Sequence, residues 1–251
     1  VACDIFHREL CALAAAGPHC IDLDFLPKGL HDLECARMTE RLQEAVDRVD
    51  EEKYDAVLLA YGLCNNGLAG LAARGLPLVL PRAHDCITLF LGSRRRYMEV
   101  FNEKPGTYFL TAGWIERGET EGELAQLSIQ QQTGMNAKYE ELVAEYGEDN
   151  AQYLMDMLGD GTQNYGRYLF IETGAGPPGM FEAVARRCAE DKDWTFERTD
   201  GDLRLLKGLV EGDWPDEDYL VIPPGETVRA TYDDAIVGCA GCPARDARTS
   251  A

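Results

Sequence analysis

Two apolar runs stand out along the chain. Residues 54–61 are continuously apolar after Asp55 and end at Gly62, and residues 76–80 are equally apolar and end at Pro81. Runs of this length without polar alternation predict strands buried on both faces of a parallel sheet, joined here by a short helical segment at 68–74. Further strands are predicted at 1–6, 21–26, 107–115, 168–172, 195–198 and 219–222. Between them the apolar positions take helical spacing: 7–16, 34–49 with Met38, Leu42, Ala45 and Val49 on one stripe, 87–102, 180–190 and 203–211. Pro18, Pro27, the Pro105–Gly106 pair and the Gly/Pro-rich loop at 174–179 punctuate the series.

Strand and helix alternate, which predicts an α/β fold of parallel, doubly wound type. Residues 116–162 break the rhythm with a long polar helical pattern, rich in Gln, Glu and Tyr, that holds no strand candidate. The expected organisation is an N-terminal α/β lobe (1–115), a helical insertion (116–162), and a C-terminal α/β lobe with a cysteine-containing tail (163–251). A plain helical hairpin packed on the sheet is the alternative for the middle segment. Two Rossmann-like lobes would enclose a cleft at the carboxyl ends of their strands, where open parallel sheets bind ligands.

Composition narrows the partners. With 44 acidic against 24 basic residues the net charge is −20, which argues against the phosphate-neutralising surface of a nucleic-acid binder. No apolar run reaches bilayer-spanning length and no signal-peptide pattern is evident, so a cytoplasmic protein is expected. The chain opens inside a predicted strand without Met, which predicts further residues upstream. Nine cysteines without a secretory signal point to a reducing compartment, with thiols serving as core fillers or metal ligands.

The candidate chemistry gathers at strand ends. Cys64, His84 and Cys86 fall just beyond the two apolar runs, and Cys3 follows the first strand. His84 and Cys86, taken with the distant Cys239 or Cys242, form a His-x-Cys…Cys arrangement. That is the pattern of zinc sites that activate thiols for methyl transfer. Zinc takes tetrahedral N/S coordination, keeps one position open in catalytic sites, and lowers the pKa of a thiol bound there. Cys64 would complete the ligand set, or Cys64 and Cys3 would act as reactive thiols near a helix start. The plainer reading is a hydrogen-bonded loop histidine among small buried cysteines. Gly62, Asn65 and Gly67 form a loop able to bring backbone amides to a cofactor, with Arg82 as a charged partner, although a tight turn explains the glycines equally. Cys11, Cys20, Cys35, Cys188, His7, His19 and His31 are read as structural.

The motifs Tyr61-Gly62-Leu63-Cys64-Asn65-Asn66-Gly67, Pro81-Arg82-Ala83-His84-Asp85-Cys86-Ile87, Leu91-Gly92-Ser93 and Gly113-Trp114-Ile115 resemble a family known mainly as a domain of unknown function. Cys3 and Gly238-Cys239 match as well. The resemblance implies a genomic setting beside corrinoid proteins and methylamine- or betaine-type methyltransferases of anaerobes, and so a part in corrinoid-dependent one-carbon metabolism. The expected function is a zinc-binding methyltransferase acting on a small-molecule substrate. The alternatives are an accessory protein that holds a corrinoid, a substrate or a partner methyltransferase without catalysis, and a racemase working through two cysteines, Cys64 in one half and Cys239 in the other.

Overall fold

A computed structural model of the chain describes residues 1–118, 124, 126, 143, 147, 148 and 164–241. The expected helical insertion and Cys242 lie almost wholly outside these residues. In the described part the chain is α/β, as the alternation of patterns predicts. Strands β1 (Ala2–Cys3) and β2 (Phe25–Leu26) pair in parallel, as do β3 (Val57–Leu58) and β4 (Leu78–Pro81). A parallel bridge from Ala2 to Ala60 joins these pairs, and β8 (Tyr219–Ile222) closes the far side antiparallel to β4. The resulting order is β2-β1-β3-β4-β8.

A second, parallel sheet has the order β5-β6-β7, from β5 (Thr107–Leu110), β6 (Arg167–Glu172) and β7 (Thr195–Asp200). Both sheets cross the expected lobe boundary at residue 115. β5, from the first half, pairs with β6, and β8, from the second half, pairs with β4. Strand neighbours are chosen by long-range pairing, which a local apolar run does not encode.

Helices α1 (His7–Ala16) and α2 (Cys35–Asp47) follow their predicted stripes, and α2 buries Met38, Leu42, Ala45 and Val46. Burying each large apolar side chain contributes roughly 1.5–3 kcal/mol. The predicted helix at 87–102 is two helices, α3 (Cys86–Leu91) and α4 (Arg94–Glu103). Gly92 ends α3 in the left-handed region at φ 77°, and the Ser93 side chain caps α4 by accepting from the Arg96 amide. The strand expected at 107–115 stops at Leu110, and Thr111 caps a short helix, α5 (Ala112–Arg117). α6 (Met180–Asp191) packs on β6 and β7, and α7 (Arg204–Glu211) packs on α1.

The helix expected at 68–74 is absent. This segment instead lies against the chain before the C-terminal hairpin, with Ala72 bridging Thr227 antiparallel and Ala73 N–H donating to the Glu226 carbonyl at 2.9 Å. Tertiary pairing satisfies the backbone groups that a helix would have paired locally. The hairpin itself is β9 (Val228–Ala230) with β10 (Val237–Cys239). One main core lies around the first sheet, where the Phe6 and Phe90 rings stand 4.7 Å apart. No helix among the described residues is long and apolar enough to cross a membrane.

Candidate functional site

Because β1, β3 and β4 are parallel neighbours, their carboxyl ends emerge side by side. The pairing of β3 with β4 runs on past both strands: Leu63 N–H donates to Ala83 O at 2.8 Å, and Cys64 N–H donates to His84 O at 3.0 Å. A cavity of about 410 Å³ opens there. Cys3, Tyr61, Cys64, Asn65, His84, Asp85 and Cys86 bound it on the side of the first sheet. Tyr108 and Phe109 of β5, Trp114 of α5, and Tyr165 bound it from the second, with Lys28 and His31 at its flank. The site is thus built between the two sheets, at the strand ends where the sequence pattern places it.

Cys64 and Asn65 of its lining, with Asn66 after them, hold left-handed backbone, at φ 36°, 51° and 61°. Asn tolerates this region and Cys does not favour it, so the turn stores strain of a kind that clusters at functional sites. Gly62, just before it, is required by close approach. A Cβ there would stand 2.6 Å from the Asp85 Cα. Asp85 in turn caps α3, accepting from Thr88 N–H at 3.0 Å and Thr88 Oγ1 at 3.1 Å. Gly62 and Asp85 together hold the two cysteine-bearing loops against each other.

The electrostatics keep the thiols neutral. Burial pushes Cys3 up to about 12, opposed in part by the Ile5 backbone amide. Cys64 is likewise pushed up to about 12, by burial first and by the Asp85 charge second, while the backbone amides of Gly62 and Cys86 favour its thiolate. Cys86 is raised strongly by burial, with Cys64, Asp85 and Cys3 adding to it. Both Cys64 and Cys86 keep some surface because they face the cavity, yet protein atoms crowd their sulfurs. The Trp114 indole N–H makes no hydrogen bond of normal geometry, but it lies near enough to Cys86 to favour its charged form. The Tyr61 hydroxyl, in a residue 3% exposed, also lacks a partner, and burial raises its pKa well above the ordinary value.

The other expected site residues divide. Asn65 is at the cavity rim, and His84 is exposed between this cavity and a second groove lined by Arg94, Arg95, Asp233 and Asp234. Gly67 packs against the Met38 side chain instead of facing the cavity. Arg82 is buried, and its guanidinium donates to backbone carbonyls of Asp216, Tyr219, Ala235 and Val237. It ties β8 and the C-terminal hairpin to β4, and it does not line the cavity. Cys239 is disulfide-bonded and also lies outside the lining. His84, Cys86 and Cys239 are therefore not brought together as the sequence pattern suggests, whereas Cys3, Cys64 and Cys86 are. Among the described residues, no group of three or more His, Cys, Asp or Glu side chains is set to hold a metal ion. The residues as placed do not fit the expected zinc ligand set.

Cys11, Cys20, Cys35 and Cys188 are free thiols away from the cavity, and Cys35 donates to the Asn66 carbonyl at 3.2 Å. Sequence reasoning missed Tyr61, Trp114, Lys28 and His31 as cavity residues. Tyr61 ends an apolar run and Trp114 sits in a quoted motif, so both carried a signal. Lys28 and His31 come from a breaker-rich loop that gives none. Lys28 Nζ stands 4.8 Å from the Trp114 ring centroid, and the His31 and Trp114 rings meet edge-on at 5.4 Å.

A family model described as a protein of unknown function, DUF1638, matches residues 25–210. No curated protein and no solved structure matches the chain.

Proposed function

The chain belongs to the DUF1638 family, and we propose that it is a small-molecule-binding protein of corrinoid-linked one-carbon metabolism that works through the cavity of Cys3, Cys64 and Cys86. The single observation behind this reading is the convergence of three thiols from three adjacent parallel strand ends on one cavity. Thiols held neutral by burial are soft, polarisable contacts and poor nucleophiles, since attack needs the thiolate. This favours binding over unaided thiol catalysis. It also weighs against the racemase reading, which needs one thiolate beside one thiol and whose second cysteine, Cys239, is disulfide-bonded. A cavity of about 410 Å³ suits a small organic molecule. A corrinoid macrocycle is too large to enter it, so the corrinoid link runs through a partner corrinoid protein or methyltransferase.

Zinc-dependent methyl transfer is the second reading, favoured by the same three thiols and opposed by their present arrangement. Metal analysis of anaerobically purified protein separates the two. Zinc at one equivalent that is lost in Cys86→Ala supports the methyltransferase. Metal-free protein whose melting temperature rises with small organic ligands, and rises less in Cys86→Ala, supports the binding protein. Metal-free protein that responds to no small molecule refutes both.

A further inference from the structure

Among the described residues only four buried side-chain polar atoms lack a hydrogen-bond partner, and two of them, Tyr61 OH and Trp114 Nε1, belong to residues that line this one cavity. Buried polar atoms are paired in the large majority of cases, so an orphan on a cavity wall marks a place where a ligand atom completes the bond. The chemistry of the two atoms restricts that ligand. An indole N–H can only donate. The phenol of Tyr61 stays protonated and so has a proton to give. Both therefore ask for acceptor atoms.

A positive charge stands beside the indole. The Lys28 ammonium lies over the Trp114 ring, anchored to the Gly118 carbonyl. Among the described residues the one carboxylate in the lining, Asp85, is already engaged as the cap of α3 through Thr88. Phe6, Tyr108 and Phe109 give the wall an apolar, aromatic side, with Asn65 and His84 at its rim.

We propose that the cavity takes a small organic acid, its carboxylate oxygens accepting from Tyr61 OH and Trp114 Nε1 beside Lys28, and its short carbon chain lying against the aromatic wall and the thiols. The assignment rests on the binding reading given above and names the ligand class for the same site. A carboxylate supplies two acceptor oxygens for two donors, and a charge-assisted hydrogen bond is about twice as strong as a neutral one. The acid thereby gains over an isosteric amide, and an amine of the same size has no acceptor to offer once protonated.

Calorimetric titration of the full chain with propionate, 3-mercaptopropionate, propionamide and propylamine tests the assignment. Both acids are expected to bind, the amide more weakly, and the amine not at all. Tyr61→Phe, which keeps the ring, is expected to weaken propionate about tenfold, the size of one hydrogen bond to a charged group. Trp114→Phe gives a second, independent loss. In both variants a circular-dichroism spectrum like that of the parent and a cooperative melt show that the fold survives. Amine binding tighter than acid, an amide bound as tightly as its acid, or propionate affinity unchanged in both variants overturns the assignment. If other classes of small molecule bind and acids do not, the binding reading stands and this inference alone falls.

Discussion

The Cys64 amide donates to the His84 carbonyl at 3.0 Å, five residues beyond the Leu59 N–H to Val79 O bond that ends the β3–β4 ladder. That contact sets Cys64 beside the start of α3 and hence beside Cys86. It depends on the backbones approaching closely at Gly62 and Asp85.

Gly62→Ala is therefore expected to be destabilising by about 3 kcal/mol, the upper range for overpacking, because the new methyl meets backbone atoms that cannot rotate away. Urea denaturation monitored by circular dichroism gives the shift in midpoint. A midpoint unchanged from the parent contradicts the close approach.

The thiols make stability depend on alkaline pH. Cys3 and Cys64 are raised from the ordinary 9.0 to about 12, so the folded chain keeps protons that the unfolded chain releases. Their contribution is fully present below pH 9 and is lost as pH rises towards 12. Cys3→Ala with Cys64→Ala is expected to flatten the fall in melting temperature over that window. In the folded parent, iodoacetamide should label both positions slowly at pH 8, and alkylation as fast as for a free thiol at that pH contradicts the neutral state.

Glu9 is fully buried, with Oε1 accepting from Thr173 Oγ1 at 2.7 Å and Oε2 unpartnered, and burial raises its pKa. Its contribution to stability is present below the unfolded value of 4.5 and lost as pH rises through the raised folded value. Glu9→Gln is expected to stabilise the protein at pH 7 and leave it little changed at pH 4. Thermal melts at the two pH values decide; greater destabilisation at pH 7 than at pH 4 reverses the sign and refutes it.

Arg82→Met keeps the length of the side chain but leaves four carbonyls without their donor. Each buried acceptor so orphaned costs about 1–3 kcal/mol, so a total loss of about 3 kcal/mol or more is expected. The loss should be concentrated in the C-terminal hairpin. Hydrogen exchange at Val237 and Cys239 should accelerate more than exchange in β5 or β6, whereas uniform acceleration would show that Arg82 is not a local tie.

Much of this structure is legible in the order of its residues. Continuous apolar runs mark β4 and β8, and the Met38, Leu42, Ala45 stripe marks α2, because both follow from which side chains avoid water. The strand ends carrying Cys3, Cys64 and Cys86 are legible for the same reason. The split at Gly92–Ser93 was written in a glycine and a capping serine beneath an apolar pattern that runs through both helices. The turns at 68–74 were not legible: their partners, Glu226 and Val228, lie some 150 residues on in sequence, and no local propensity encodes so distant a pairing.

The chain alone determines that cysteines stand after buried strands, since composition and periodicity are local properties. Tertiary structure decides which of them meet. Cys239 and Arg82 read as site residues by type, yet one is disulfide-bonded and the other ties backbone carbonyls together. Lys28, Tyr61 and Trp114, placed by a loop, a strand end and a capped helix from three parts of the chain, instead complete the cavity beside the thiols. A binding site is a set of distances, and distances between remote residues exist only once the two sheets have packed.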